Sequence, residues 1–391
     1  MNYEELKKCI LTEIEGFLSE LTIVSDDMAD HPELSGQEFE TSNKLVRLLE
    51  KYGYRTEYPF AGRETAFRAV YGEKNHKYKI ALLIEYDALP ELGHACGHCL
   101  SASAGILAGI ALRPLQDILN ADIYIIGTPD EEDDGAKCMM AEQGIFDFYD
   151  MAIMVHYYHR NLVMPRFQAL AEYFYEFYGK AAHASAAPWE GRNALNGLQL
   201  MIHAVDMLRQ HTRNDAQFHY VIKEGGVFPN IVPEKAVLQM FIRAGDKAYI
   251  EELIRLVDDC ADGAATATQT VWEKYPKNQL YYVDLRRNAA GESAVREVFE
   301  ELRILENAPN DMVFGSSDIG NVSYVCPAFH PCLQITDEAP IHTREFAEIV
   351  KSDRAHQAIG DGAAVIGLTV AKIFSNQQTV EEMKSEFQKK F

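Results

Sequence analysis

Four side chains of metal-binding type, His94, Cys96, His98 and Cys99, stand within six residues of one another. They follow the apolar run 80–84 and the carboxylate of Asp87. A thiolate and imidazoles at this spacing could hold a borderline transition metal, although a buried Cys or His is more often packing, so Cys96-Gly97-His98 alone is a weak signal. Repetition strengthens it. A second apolar run, 122–126, leads into Gly127-Thr128-Pro129-Asp130-Glu131-Glu132, and a third, 150–155, leads straight into His156. Thiolate, imidazole and carboxylate together suit zinc or a similar ion and disfavour calcium or magnesium. Glu131 to Asp134 taken alone is a charge run of the kind that usually means a solvated loop; its place at a strand end beside the other donors gives it chemistry.

The first of these runs, 80–84, is apolar throughout, as expected of a strand covered on both faces of an α/β sheet, and the other two are strand candidates that each begin with an Asp. Ligands at the carboxyl ends of such strands sit where open α/β sheets bind. Residues 101–112, rich in Ala, Gly and Ser, predict a helix able to lie close against neighbouring backbone. Upstream, Leu6, Ile10, Ile14, Phe17, Leu18 and Leu21 recur at helical spacing over 3–30, and 38–52 predicts a second helix closed by Gly53. His31, before Pro32, reads as a structural junction. After residue 166 the composition changes. An aromatic strand (167–178), a helix (193–211), strands at 218–224 and 236–244, a helix (247–261) and a Thr-rich strand (266–274) follow. That strand-helix-strand-strand-helix-strand order is an α+β unit of its own. A helix over 292–306 returns the chain to the first domain, which closes with a strand near 332–336 and a terminal helix. The expected boundaries are therefore 1–166 with 285–391, interrupted by 167–284.

The chain has 391 residues, 47% of them hydrophobic, enough for a large core and about two domains. A net charge of −22, from 37 basic and 59 acidic residues, argues against nucleic acid or anionic membrane as partners and favours small neutral or cationic substrates. Seven cysteines, at 9, 96, 99, 138, 260, 326 and 332, form no disulfide framework and suggest reduced thiols in a cytoplasm. The first residues lack the features of a signal peptide, and no apolar run reaches the ~18 residues of a membrane span. A cytoplasmic enzyme or binding protein is expected.

In chain order, HPELSGQEFET (31–41), EYDALPELGHACGH (85–98), GTPDEE (127–132), KAAHASAAPWEGRNAL (180–195), PNIVPEKA (229–236), GSSDIGNVSYVCP (315–327) and HTREF (342–346) resemble the M-20 metallopeptidases and amidohydrolases. Within that family they are similar to the branch of p-aminobenzoyl-glutamate hydrolases, aminoacylases and dipeptidases. The resemblance implies a phosphorylase/hydrolase-like α/β catalytic domain, a mixed sheet between helices, with an inserted α+β ferredoxin-like lid that dimerises. Carried over residue by residue, it makes Cys96, His98, Glu132, His156 and His342 ligands of two divalent ions, zinc first, with manganese or cobalt as alternatives. Glu131 becomes the general base, Asp87 orients a ligand, and His183 reaches the scissile carbonyl of a partner subunit. Asn230 and Arg243 match positions of substrate contact.

His330 competes with His342 for the last ligand position, and His159 with His156. The chain departs from the family pattern at Cys99, where Asp or Asn is usual and where the thiol either adds a ligand or packs. It departs again at Asp133-Asp134-Gly135 and at Tyr157-Tyr158-His159, which bears on substrate preference. The implied reaction is metal-assisted hydrolysis of amide bonds in N-acyl amino acids, aminobenzoyl-glutamate-like compounds or short peptides, by a homodimer or larger homo-oligomer. The alternative is an inactive relative that binds an amino-acid-like ligand or a protein; the intact Glu131 and ligand set argue against it.

Overall fold

Helix α1 (Tyr3–Asp30) forms unbroken, opened by a capping box between Asn2 and Glu5 and burying Leu6, Ile10, Ile14, Leu21 and Met28 along one face. The structure is a computed structural model that describes residues 1–72, 74–277, 281–307 and 315–389. After α1 come α2 (Phe39–Lys51), β1 (Arg55–Glu57), β2 (Phe67–Val70), β3 (Tyr78–Ile84), α3 (His98–Leu112), α4 (Gln116–Leu119), β4 (Ala121–Gly127), α5 (Ala136–Glu142), β5 (Met151–Ile153) and β6 (His156–Tyr158). The middle of the chain forms β7 (Ala169–Tyr178), α6 (Ala194–Leu208), β8 (Gln217–Glu224), β9 (Lys235–Ala244), α7 (Lys247–Thr268) and β10 (Val271–Pro276). The rest forms α8 (Ala289–Glu301), α9 (Ile319–Ser323), β11 (Ala328–Phe329), β12 (Cys332–Gln334), α10 (Arg344–Ile349), α11 (Asp353–Phe374) and α12 (Gln377–Gln388). Two units result. One holds Met1–Arg166 and most of the chain from Leu285 onward; the other holds Phe167–Asp284 with Gly315, Ser316 and Ser317.

The first unit is built on a mixed six-stranded sheet in the order β1-β2-β4-β3-β5-β11. β3 runs parallel to β4 and β5, and β5 to β11, while β2 is antiparallel to both β1 and β4. Every residue of β4 and all but Lys79 of β3 are buried, which is why 80–84 and 123–126 read as continuous apolar runs. All of α3 is buried too. A Cβ on Gly105 would lie 2.3 Å from Ile84 Cγ2, and one on Gly109 2.5 Å from Ile125 Cδ1, so the small residues of α3 set its approach to the sheet. α3 with its continuation to Leu119, and α11, are long and apolar enough to cross a bilayer, but their apolar windows are 89% and 83% buried inside the fold. They are core helices.

Several boundaries differ from expectation. α3 starts at His98 rather than 101, because Gly97 in the left-handed conformation (φ +84°) caps it. The strand expected over 150–155 ends at Ile153, and His156 opens β6, which pairs with β12 in a separate parallel ribbon. α7 continues to Thr268, where the Thr266 and Thr268 hydroxyls donate to the carbonyls of Asp262 and Ala264, and left-handed Gln269 ends it. β10 therefore begins only at Val271. α8 starts earlier than expected, at Ala289, because the Asn288 side chain caps it, and ends at Glu301. The outer strands β1 and β2 carried no signal strong enough to anticipate.

The second unit has four antiparallel strands in the order β10-β7-β9-β8. With two helices between them, this is the ferredoxin-like arrangement of a split βαβ pair. Its core lies between one sheet face and α6 and α7, where Tyr175, Phe177, Leu198, Met201, Leu238 and Leu253 are buried.

Candidate metal centre

Three left-handed residues shape the loops that carry the candidate ligands. Gly97 turns the chain between Cys96 and His98, and a side chain there would also meet Phe346 at 3.4 Å and Tyr157 at 3.5 Å. Asp130, with φ +61°, immediately precedes Glu131 and Glu132. Its conformation is held from two sides: the buried Glu38 carboxylate accepts from the backbone N–H groups of Asp130 (2.9 Å) and Gly36 (2.8 Å), and the Asp130 carboxylate accepts from Arg63 Nη1 at 2.7 Å. Burial pushes the Glu38 carboxyl up to about 7, with the Asp87 charge adding to it. His342, with φ +64°, donates its N–H to the carbonyl of Ala95 at 2.8 Å, which pins it beside the elbow. Non-glycine residues in this region are uncommon and collect at functional sites.

These loops bring donors together in two trios. Cys96, His98 and His156 form one, Cys96, Glu132 and His342 the other, with the ligand atoms of each trio within 4.8 Å of one another. Cys96 Sγ lies 3.3 Å from His156 Nε2 and 3.4 Å from His342 Nε2, and His342 Nε2 lies 3.3 Å from Glu132 Oε1. The thiol is thus common to both. A further trio joins His98, Glu131 and Glu132.

Asp87 organises the set. His98 Nδ1 donates to the Asp87 carbonyl and to its Oδ1, both at 3.0 Å, while Oδ2 accepts from Ser35 Oγ (2.8 Å) and from the Glu132 N–H (3.0 Å). One carboxylate therefore holds both the His98 imidazole and the backbone of Glu132, two of the candidate donors. His156 Nδ1 donates to the carbonyl of Tyr157 at 3.0 Å, which turns its Nε2 toward Cys96. Burial pushes the His156 imidazole down to about 4, with the charge of His98 adding, so it is neutral and ready to coordinate. Burial pushes the Cys96 thiol well up, reinforced by Glu132, and pushes Glu131 well above the usual carboxyl range, reinforced by Glu85 and Glu132. For His98 burial acts against the charged form, but Cys96 and Asp87 outweigh it and hold its pKa well above the imidazole range.

The field that keeps these protons in place is one that attracts cations. The buried His98 Nε2 and Glu132 Oε1 make no hydrogen bond among the described residues. Thiolate, imidazole and carboxylate donors with such orphaned atoms fit a divalent transition metal, which displaces protons on binding.

His330 stacks on His156, ring centroids 5.5 Å apart, and burial holds its pKa well below the usual value. It belongs to none of these trios; His342 does. The His159 ring lies tilted against Tyr158, ring centroids 4.3 Å apart, outside the trios. Cys99 is buried in the first turn of α3, against the Ser25 hydroxyl. His94 is buried, held down to about 4 by burial and by the charge of His98, and is also outside the trios. Three expected residues lie in the second unit. His183 is exposed, and its Nδ1 accepts from the N–H groups of Ser185 (3.3 Å) and Ala186 (3.2 Å), leaving Nε2 to carry the proton. Asn230 is exposed beside it, its carbonyl accepting from Ala184 N at 2.9 Å, and half-buried Arg243 donates from Nη1 to Ser316 Oγ at 2.9 Å.

Three further residues, Glu85, Lys137 and Asp318, carry no sequence signal strong enough to single them out. Lys137 Nζ lies 2.7 Å from Glu85 Oε1 and 2.7 Å from Asp318 Oδ1, with all three side chains buried. A lysine inside the otherwise apolar AKCMMA was the available hint.

Comparison with known proteins identifies the family. Residues 168–268 match the peptidase dimerisation domain model of the M20 family. The chain is 32% identical to the Xaa-Arg dipeptidase of Mus musculus over 98% of its own length and 92% of that protein's. It is 30% identical to the Xaa-Arg dipeptidase of Homo sapiens over 92% and 86% of the two chains. A Bacillus subtilis structure described as a dinuclear metal-binding peptidase of the M20 family superposes with a TM-score of 0.70 at 17% identity, covering 92% of this chain and 99% of that one. With near full-length similarity and a metal-suited donor set at the carboxyl ends of its sheet, the chain belongs to the M20 family of metal-dependent amide hydrolases.

Proposed function

We propose that this hydrolase cleaves the amide bond of short peptides and N-acyl amino acids, aminobenzoyl-glutamate-like compounds included, at a two-metal centre held by Cys96, His98, Glu132, His156 and His342. The observation that carries the reading is the different surroundings of the two adjacent carboxylates. Glu132 faces Cys96 and His342, whereas Glu131 stands 4.0 Å from His98 and faces Glu85 and Asp318. When bound, the metal ions, zinc first and manganese or cobalt as alternatives, polarise the scissile carbonyl and acidify the attacking water. Glu131, whose proton affinity is raised by burial, takes a proton from that water and returns it to the leaving amine. His183 Nε2 donates to the developing oxyanion, and Asn230 and Arg243 contact the substrate.

The net charge of −22 and the similarity to an Xaa-Arg dipeptidase favour substrates with a basic residue. The seven cysteines, all free, support a reducing cytoplasm. The test is release of free amine by metal-loaded protein from a panel of dipeptides ending in Arg or Lys, N-acyl amino acids and p-aminobenzoyl-glutamate. Metal-replete protein that binds but cleaves none of them would instead be a ligand-binding relative.

The inserted unit serves as the contact between protomers in this reading, so His183 completes the site of a partner and activity requires the oligomer. Mixing inactive His183→Ala with inactive Glu131→Gln protomers under exchange conditions is expected to restore part of the activity, because some sites then carry both intact groups. Mixed oligomers that form yet stay inactive would return His183 to its own chain or to a purely structural role.

A further inference from the structure

Lys137 has no exposed surface, and it leaves the loop just after Glu132, in the first turn of α5. Asp318 holds it twice: Oδ2 accepts from its backbone N–H at 3.0 Å, and Oδ1 faces Nζ at 2.7 Å. Glu85 Oε1 faces the same ammonium at 2.7 Å, and the other oxygen of Glu85 lies 3.4 Å from His98 Nε2. Carboxylate oxygens of Glu85, Glu131 and Asp318 come within 4.8 Å of one another. Three carboxylates this close form the donor set of a cation site, and without a positive charge among them they would repel each other in a medium that tolerates only paired charge. An ammonium is already there.

We propose that Lys137 is a built-in third cation of the centre, its ammonium taking the place that a third metal ion would take among Glu85, Asp318 and Glu131. The inference rests on the two-metal reading above and adds a reason why Glu131 serves as a base. A metal ion at this point would take a Glu131 oxygen as a ligand. An ammonium attracts that carboxylate, stands in ion-pair contact with its neighbours Glu85 and Asp318 and leaves it a lone pair for the proton. Lys137 is thus a positioning residue, and it also restrains Glu85, which lies close enough to His98 to be drawn onto a metal once released.

The first test uses the wild-type protein. Apoprotein titrated with Mn²⁺, with the free ion followed by electron paramagnetic resonance, is expected to saturate at two ions per chain. Saturation at three overturns the inference, whereas fewer than two overturns the two-metal reading instead. Lys137→Ala is expected to gain a third, weaker Mn²⁺ site and to lose turnover by about 10²-fold, the scale at which displacement of a reacting group is felt. n-Propylammonium, which replaces the missing atoms, is expected to displace the third ion and recover activity; tetramethylammonium, with no N–H, is not. A folded Lys137→Ala protein that binds two ions and ignores the amine overturns the proposal. Should that variant fail to fold, Lys137→Met with Asp318→Leu and Glu85→Gln removes all three charges together, a change that buried ion networks often tolerate. Turnover in the triple variant within about two-fold of wild type would overturn it equally, since a positioned base is worth far more.

Discussion

Glu131→Gln is expected to keep its full complement of metal and to lose turnover by about 10²-fold or more, the scale for removing a positioned general base. At about 1.36 kcal/mol per decade this corresponds to at least ~2.7 kcal/mol of transition-state stabilisation. The expectation follows from position: Glu131 belongs to the trio of Glu85 and Asp318 as well as to that of His98, and its carboxyl is pushed well above the usual range first by burial and then by Glu85. An amide in its place accepts no proton but keeps much of the shape. The companion change Glu132→Gln has the opposite profile, because that carboxylate faces His342 and Cys96 and is held ionised against burial by His342 and His98. It should weaken metal binding first and activity as a consequence. Elemental analysis alongside single-turnover rates separates the two. A metal-replete Glu131→Gln enzyme of near-normal rate would move the base elsewhere.

Cys96→Ala is expected to empty the centre of both metals, whereas His342→Ala or His156→Ala should leave about one per chain. The difference arises because Cys96 is the donor common to both trios, while each of the two histidines serves one. Metal content after dialysis, measured by elemental analysis, reads this directly. A thermal melt should agree: an ion present at 100 times its Kd stabilises the fold by ~2.7 kcal/mol, and the Cys96→Ala protein should lose the metal-dependent part of its Tm. Retention of two ions in Cys96→Ala would show that the thiol is a spectator and that the ligands are the imidazoles and carboxylates alone.

The pattern of apolar runs sufficed to locate β3, β4 and β5, because strands buried on both faces keep their few polar residues, Lys79 and Asp122, near the strand starts and leave the rest apolar. The βαββαβ order of the second unit was equally legible, since its helices repeat at 3.6 residues and its strands are bounded by turns. The donors Cys96, His98, Glu132 and His156 were visible because each follows an apolar run, a place where side chains open onto the edge of a sheet. Local sequence could not separate His342 from His330. Both are histidines near prolines in the last third of the chain, and only the left-handed turn at His342, pinned to Ala95, brings one to Cys96 while the other stacks behind His156. Lys137, Glu85 and Asp318 escaped for a related reason. A buried ion triad is made by residues distant in sequence, and nothing in the local pattern of any one of them announces the other two. What the sequence determined by itself was the set of elements and the chemical types at their ends, because these follow from short-range periodicity. The tertiary structure decided which donors come within 4.8 Å of one another and which of the two adjacent carboxylates also faces Glu85 and Asp318, because those depend on distances closed by chain segments as much as 246 residues apart.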